Sequence, residues 1–166
     1  MRIPWRRDTV PADVKQALVL KPGERVLSVC HSEDTAYLVA TDRALHLVDP
    51  PEQVRWRWDE IDRATWQPPL LELQLQVEGG ISQRVVPVDA QGELPAVVRD
   101  RVTNSIIVNS RVVVPGGQVR VVARRNSDTG ILEWRIVPSP GVDPTDPAVR
   151  AQTDLELTRL RGQLGV

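Results

Sequence analysis

Aromatic residues and cysteine are scarce in this sequence of 166 residues. It has no phenylalanine, one tyrosine, one methionine and one cysteine, but five tryptophans. The single cysteine, Cys30, excludes a disulfide within the chain, so the sequence lacks the framework typical of small secreted domains. The tryptophans must supply most of the aromatic part of any core, because few other aromatic side chains are present.

Long apolar runs and a surplus of basic charge are also absent. No stretch of about 18 apolar residues occurs, so we expect no transmembrane segment. Asp8, Pro11 and Asp13 interrupt any stretch resembling a signal peptide, and we therefore expect a cytoplasmic protein. The formal net charge of -1 argues against nucleic acid as a partner, because proteins that bind the phosphate backbone carry a basic surplus.

Closely spaced strand signals run along most of the chain. Apolar residues make up 41% of the sequence, enough for a core at this length, and the many valines favour strands because β-branched side chains fit a pleated surface. Residues 71–77 alternate apolar and polar without error, which predicts a strand with one face in the core. The residues expected to face inward are Leu71, Leu73, Leu75 and Val77, together with Trp56 and Trp58. The predicted strands cover residues 25–31, 35–40, 43–48, 54–58, 71–77, 82–88, 105–114, 119–125 and 131–137.

Three helices are predicted from capping residues and changes of period. A short helix over residues 11–19 follows Asp8 and Thr9, either of which can cap it. Residues 93–104 carry apolar side chains at steps of three and four, as an amphipathic helix does. A last helix over residues 147–163 begins after Asp146, a residue type that caps helices. Its apolar seam consists of Val149, Gln152, Leu155 and Leu160.

Three segments of the first half carry a family resemblance. They are residues 23–27 (GERVL), 37–45 (YLVATDRAL) and 57–61 (RWDEI). Over residues 20–104 the chain resembles the bacterial pleckstrin-homology-like and GRAM-type domains. The resemblance implies a mainly β fold, a bent β-sandwich or barrel with residues 93–104 as the closing helix.

The strand and helix signals give an organisation for the rest of the chain, and residues 105–166 depart from the family, which does not need a further meander and helix. Residues 1–22 are then an N-terminal arm with a short helix, and residues 23–104 are the PH/GRAM-like domain. Residues 105–137 are a three-stranded meander that we expect to pack on the same domain, either as an extension of its sheet or as a small second layer. Residues 138–166 are a linker and the C-terminal helix.

Folds of this family serve as binding platforms for phosphoinositides, peptides or protein domains. We expect a noncatalytic interaction module with a protein partner; the alternative is a small-molecule or lipid-binding β-barrel. A phosphoinositide site of the family would need basic residues in the first hairpin loop. That loop, residues 31–35, instead carries Glu33 and Asp34, so the sequence argues against phosphoinositide binding.

Six residues are candidates for contact with a partner. Trp5 is the first, since tryptophan anchors interfaces and this one lies in a basic arm. Trp66 precedes Gln67-Pro68-Pro69 and is expected near the surface. The other four are arginines of the predicted meander, Arg120, Arg124, Arg125 and Arg135. These arginines could bind acidic protein surface or phosphate; the alternative is a solvated sheet face on which they pair with acids such as Glu133, each pair contributing little.

The sequence offers no standard catalytic or metal-binding constellation. Cys30 and His31 are neighbours on a predicted strand, so their side chains should point to opposite faces. A triad of Ser32, His46 and Asp49 is conceivable, but no strained nucleophile turn accompanies it. Residues 116–118 repeat the GGQ tripeptide of peptide-release factors, yet their position between two strands predicts a hairpin turn. We expect no catalysis, no metal and no cofactor.

The strand at residues 105–114 indicates self-association. Ile106, Val108, Val112 and Val114 are expected on one face, and Ile107 and Val113 on the other. A strand that is apolar on both faces needs cover on both. The seam of the last helix is narrow, so a homodimer with two-fold symmetry is one way to supply the missing cover.

Overall fold

The structure, a computed structural model, describes residues 10–89 and 92–166. In these ranges the strands form three antiparallel sheets, and none of the three closes into a barrel. The mainly β class predicted from the sequence is therefore confirmed, as a set of open sheets. The chain divides into two compact units, residues 1–103 and residues 104–166.

The first unit opens with a helix and a four-stranded sheet. These elements are α1 (Ala12–Ala17), β1 (Val26–His31), β2 (Tyr37–Thr41), β3 (Ala44–Asp49) and β4 (Glu52–Arg57). The strands pair in the order β1-β2-β3-β4, so β1 and β4 are the edges. We call this the first sheet. Thr41 and Ala44 bracket the tight β2–β3 hairpin that the sequence predicts.

A second sheet and a helix complete the first unit. They are β5 (Ile61–Gln67), β6 (Leu70–Val77), β7 (Gly80–Pro87) and α2 (Leu94–Ser105), with β6 in the centre of the sheet. The last two residues of α2 fall in the second unit. The strand β5 was not predicted. A bulge between Ile61 and Arg63 shifts its register against β6, and a bulge breaks the alternation by which a strand is recognised in a sequence.

The core of the first unit joins both sheets and α2. Leu38 and Leu45 from the first sheet meet Leu73 from the second and Val98 from the helix. Trp56 and Trp58 are buried in the same cluster, as the sequence predicts. The β6 register is also as predicted, with Leu71, Leu73 and Leu75 buried. The expectation for Val77 was wrong: this side chain is 46% exposed, because it is the last residue of β6 before the turn to β7.

The second unit is a three-stranded meander with a helix. Its elements are β8 (Ile106–Val114), β9 (Gly117–Arg125), β10 (Leu132–Pro138) and α3 (Pro147–Leu164). The order β10-β9-β8 makes β8 an edge strand, and we call this the third sheet. Asp146 caps α3 as predicted, since its carboxylate accepts a hydrogen bond from Ala148 N at 2.8 Å. None of the helices in the described part of the chain is long and apolar enough to cross a membrane.

The inward face of α3 differs from the predicted seam. Val149, Thr153 and Leu160 are the buried residues, which lie four and seven positions apart on one face of a helix. Leu155 was expected in the seam but is 74% exposed. At about 100° per residue it lies roughly 120° around the helix from Val149.

A bulge also rearranges the faces of β8. The register against β9 shifts between Ile106 and Val108, so Ile107 departs from the simple alternation expected from the sequence. It lines a hollow with Trp134 and Leu164, a residue of α3. Ile107 therefore lies on the helix side of the third sheet, and the expectation that it shares a face with Val113 was wrong.

Candidate functional site

An apolar groove lies between α1 and the β1 edge of the first sheet. Its volume is about 570 Å3, within the range of roughly 300–1,000 Å3 that ligand sites occupy. The apolar lining includes Val10, Val14, Leu18, Val26, Val29 and Val39. Most of these side chains are half-buried, so the groove exposes apolar surface to water.

The position of α1 follows from the packing of one side chain. Val14 is buried against Val39 and Val48, on the face of the first sheet turned away from the main core. The segment after the helix is tied to β4 because the Gln53 side chain bonds both backbone groups of Val19, accepting from its N at 3.0 Å and donating to its O at 3.2 Å. The helix and this segment together form one wall of the groove.

Two cationic side chains stand at the groove. Lys15 projects from α1, and Arg25 precedes β1. The Arg25 side chain is 81% exposed and contacts the Asp42 carboxylate at 3.4 Å. An apolar floor with a basic rim fits a ligand that is apolar and carries a negative charge.

A buried polar network lies beside the groove. The Glu24 carboxylate accepts hydrogen bonds from Thr41 Oγ1 at 2.6 Å, His46 Nε2 at 2.9 Å and Lys21 N at 2.9 Å. Arg55 Nη2 lies 3.5 Å from the same carboxylate. The side chains of Glu24 and His46 have no exposed surface. A buried carboxylate of this kind is stable only because so many donors converge on it.

The network determines the charge state of Glu24 and the ring nitrogen of His46 that carries a hydrogen. Burial by itself would raise the pKa of Glu24, but the bonds from Thr41, His46 and Lys21 N, with the nearby Arg55, outweigh it and hold the pKa below its ordinary value of 4.5. His46 must carry a hydrogen on Nε2 to donate to this carboxylate. Its Nδ1 has no hydrogen-bond partner among the described residues.

The network also joins the three segments that carry the family resemblance. The Thr41 hydroxyl donates a hydrogen bond to the Glu24 carboxylate, and the Thr41 carbonyl accepts one from Trp58 Nε1 at 3.1 Å. Asp42 and Arg25 exchange hydrogen bonds, since Arg25 N donates to the Asp42 carboxylate at 2.8 Å and Asp42 N donates to Arg25 O at 2.9 Å. The three short segments are therefore linked to one another by hydrogen bonds within the first unit.

The predicted arginine site is spread over both faces of the third sheet. Arg124 is buried and donates to Ser105 Oγ at 3.1 Å. Arg125 is exposed and donates to Gly130 O at 3.0 Å. Arg135 lies 3.9 Å from Glu133, the kind of pairing expected on a solvated sheet face. Arg120 is half-buried opposite Arg111 of β8. Alternation along β9 places Arg125 on the face opposite to Arg120 and Arg124, so the four arginines do not share one face.

The tryptophan candidates have different settings. Trp5 lies outside the described residues and stays a prediction. Trp66 is half-buried in β5 and packs against the core of the first unit. Trp134, which was not a candidate, is half-buried in the third sheet, with the Arg161 guanidinium 5.6 Å from its ring centroid, a cation–π distance.

The residues examined for catalysis each contact other groups. Cys30 is buried and His31 exposed, as expected for neighbours on a strand, and burial raises the pKa of the Cys30 thiol. Ser32 donates to Pro87 O at 2.6 Å, and Asp49 accepts from Thr35 at 2.7 Å. Within residues 10–89 and 92–166, no three His, Cys, Asp or Glu side chains are grouped to hold a metal.

The first hairpin loop leads to a prediction about membranes. Glu33 and Asp34 are exposed there, where phosphate donors would be needed, so like charges should repel anionic lipid. We expect no sedimentation with vesicles containing phosphoinositides. Salt-sensitive binding that disappears in Arg120→Ala would contradict this and would make the arginines of the third sheet a membrane site.

The groove residues were not identified from the sequence. Val26 and Val29 look like ordinary strand positions, and Lys15 and Leu18 lie in or next to a helix of only six residues. The signal that could have found them is the amphipathic character of α1. An amphipathic helix at this place would be expected to pack on the face of the first sheet that lies opposite the main core. No family model, curated protein or solved structure gives a significant match to the chain.

Proposed function

We propose that this chain is a noncatalytic interaction module of the bacterial cytoplasm, which binds an extended segment of a partner protein in the groove beside α1. The observation that carries the proposal is the half-buried apolar lining of the groove with Lys15 and Arg25 at its rim. We further propose that residues 20–104 are a PH/GRAM-like domain. The two packed sheets with α2 against them support that assignment.

The groove borders a strand that can accept another strand. Among the described strands, β1 pairs with β2 alone. On its other side His31 O accepts a hydrogen bond from Asp89 N at 3.2 Å, so the open part of this sheet edge is the part before His31. Extended peptides add to such edges through main-chain hydrogen bonds, while pockets for alternate side chains give specificity. The preferred segment would place apolar side chains toward Val26 and Val29, and an acidic side chain near Lys15 or Arg25.

Selection from a random peptide library displayed on phage tests the proposal. We expect enriched sequences to combine apolar residues with Asp or Glu, and their affinity to fall about tenfold in Lys15→Glu, the effect of one lost charge-assisted contact. Lys21→Glu is the matched control, because the two residues are the only lysines of the chain and Lys21 does not line the groove. Peptides that bind Lys15→Glu and wild type equally would place the site elsewhere.

A small-molecule or lipid ligand is the second candidate, and the volume of the same groove favours it. A closed barrel is not the form that the described strands take, so the ligand would lie in the groove. Native mass spectrometry of protein purified from its own host distinguishes the two. A small anionic molecule that copurifies with wild type and is lost in Lys15→Glu would replace the peptide proposal.

A further inference from the structure

The edge strand β8 is long and poorly protected against pairing. It spans nine residues, contains no proline, has Arg111 as its one charged residue, and pairs among the described strands with β9 alone. Val113 is 76% exposed. Such edges pair readily with another strand unless proline or charge blocks them. The opposite edge, β10, ends in Pro138.

The turn after β8 determines which backbone groups point outward. Val114 pairs with Gly117 across the two-residue turn at Pro115 and Gly116, so Val114 directs its carbonyl toward β9. Residues of a strand alternate in this respect. The register against β9 is regular from Val108 to Val114, and Asn109, Arg111 and Val113 therefore direct their N–H and C=O groups away from β9.

The sequence of β8 is self-complementary about its middle residue. Reading IIVNSRVVV outward from Ser110, a polar residue stands on each side, and three apolar residues follow in both directions. An antiparallel pair of two β8 strands centred on Ser110 would set Arg111 opposite Asn109 of the second copy. Centring on Arg111 instead would oppose two like charges, which destabilises a sheet.

Leu155, an exposed residue of α3, lies on the side of the second unit where β8 is the edge strand. Glu156 of α3 accepts a hydrogen bond from Ser110 of β8 at 2.6 Å, whereas Arg161 lies over Trp134 of β10. Leu155 precedes Glu156 and lies about 120° around the helix from Arg161. This leucine therefore projects on the β8 side of α3, and it is 74% exposed.

We propose that the chain forms a two-fold dimer in which two copies of β8 pair antiparallel about Ser110. This pairing joins the third sheets of the two copies into a single six-stranded sheet. The pairing uses the outward backbone groups of Asn109 and Arg111 in both copies. Val113 then lies beside the Ile106–Ile107 end of the second β8, and the two α3 helices come together on the Leu155 side. A second copy is the occupant that the self-complementary sequence favours.

Disulfide formation tests the register. In the proposed pair the two Ser110 residues oppose each other at a non-hydrogen-bonded position, where Cα atoms lie about 4.5 Å apart, a distance that a disulfide spans. We expect Ser110→Cys to form a covalent dimer under mild oxidation. Arg111→Cys is the control, because Arg111 faces Asn109 of the second copy and should remain uncrosslinked. Equal crosslinking of both variants, or none in Ser110→Cys, would overturn the register.

Light scattering over a dilution series tests the dimer without cysteine chemistry. We expect the mass of wild type to rise from 18.5 kDa for one chain toward twice that value with concentration. Val113→Lys should weaken association about tenfold, as the loss of one buried valine predicts. Ile136→Lys is the matched control, an exposed position on the opposite edge strand. A monomeric mass at every concentration, or equal weakening by both variants, would overturn the proposal.

Discussion

Leu73→Ala should lower the free energy of unfolding of the first unit by about 2–5 kcal/mol. Leu73 has no exposed surface and lies in β6, the central strand of its sheet. Its removal loses the transfer free energy of the side chain and leaves a cavity that surrounding strands cannot readily close. Denaturant unfolding followed by tryptophan fluorescence measures the change, since Trp56 and Trp58 belong to the same core cluster.

Val77→Ala is the matched control on the same strand. Val77 is 46% exposed, so its truncation should cost less than about 1 kcal/mol. A cost for Leu73→Ala no greater than that for Val77→Ala would contradict the described register. It would mean that β6 is shifted by one residue, because such a shift exchanges the two faces of a strand.

Glu24→Ala should destabilise the first unit by about 2–4 kcal/mol at neutral pH. The substitution leaves His46 Nε2 buried without its acceptor, whereas the Thr41 hydroxyl, which also loses the carboxylate, still has Ala44 O at 3.0 Å. Arg55 also loses its contact with the carboxylate, but its side chain is partly exposed, so water compensates for some of that loss. Thermal and denaturant unfolding of the variant and wild type give the difference.

The pH dependence of stability distinguishes the contribution of the ionised Glu24 carboxylate from that of the hydrogen bonds around it. The pKa of Glu24 is held below 4.5 in the folded chain, so the stability from this shift is present above the unfolded pKa and is lost as pH falls through the folded pKa. Glu24→Gln has no titrating group and should lose less stability than wild type below pH 4.5. The exposed Glu78→Gln should follow wild type. Parallel acid profiles of wild type and Glu24→Gln would rule out this role.

The predictable parts of the fold are those that local pattern determines. Alternation in β6 identified Leu71, Leu73 and Leu75 as core residues, and the capping role of Asp146 marked the start of α3. The strand β5 escaped because its bulge interrupts alternation. Leu155 was misplaced because a short seam permits more than one inward face, and packing against the sheet selected Thr153 instead.

The candidate site depends on contacts between distant parts of the sequence. Glu24 meets Thr41 across 17 positions and His46 across 22, and no local period reports such a meeting. The groove forms only because α1 lies over β1. The order of strands and helices along the sequence does not specify that packing. Arg124 and Trp66, which were chosen as binding candidates from residue type, contribute to internal hydrogen bonding and to packing.

Packing and backbone geometry account for the two glycines in the turn between β8 and β9. A Cβ on Gly116 would lie 2.9 Å from Gly141 O, and one on Gly117 would lie 2.5 Å from Ser139 Oγ; both residues have positive φ. The backbone of Gln118 exchanges hydrogen bonds with Ser139, since Gln118 N donates to Ser139 Oγ at 3.0 Å and Ser139 N donates to Gln118 O at 2.9 Å. The positive φ angles favour glycine at both positions, and at Gly116 the backbone oxygen of Gly141 also excludes a Cβ. The two glycines therefore carry information here about a neighbouring loop more than twenty residues later in the chain.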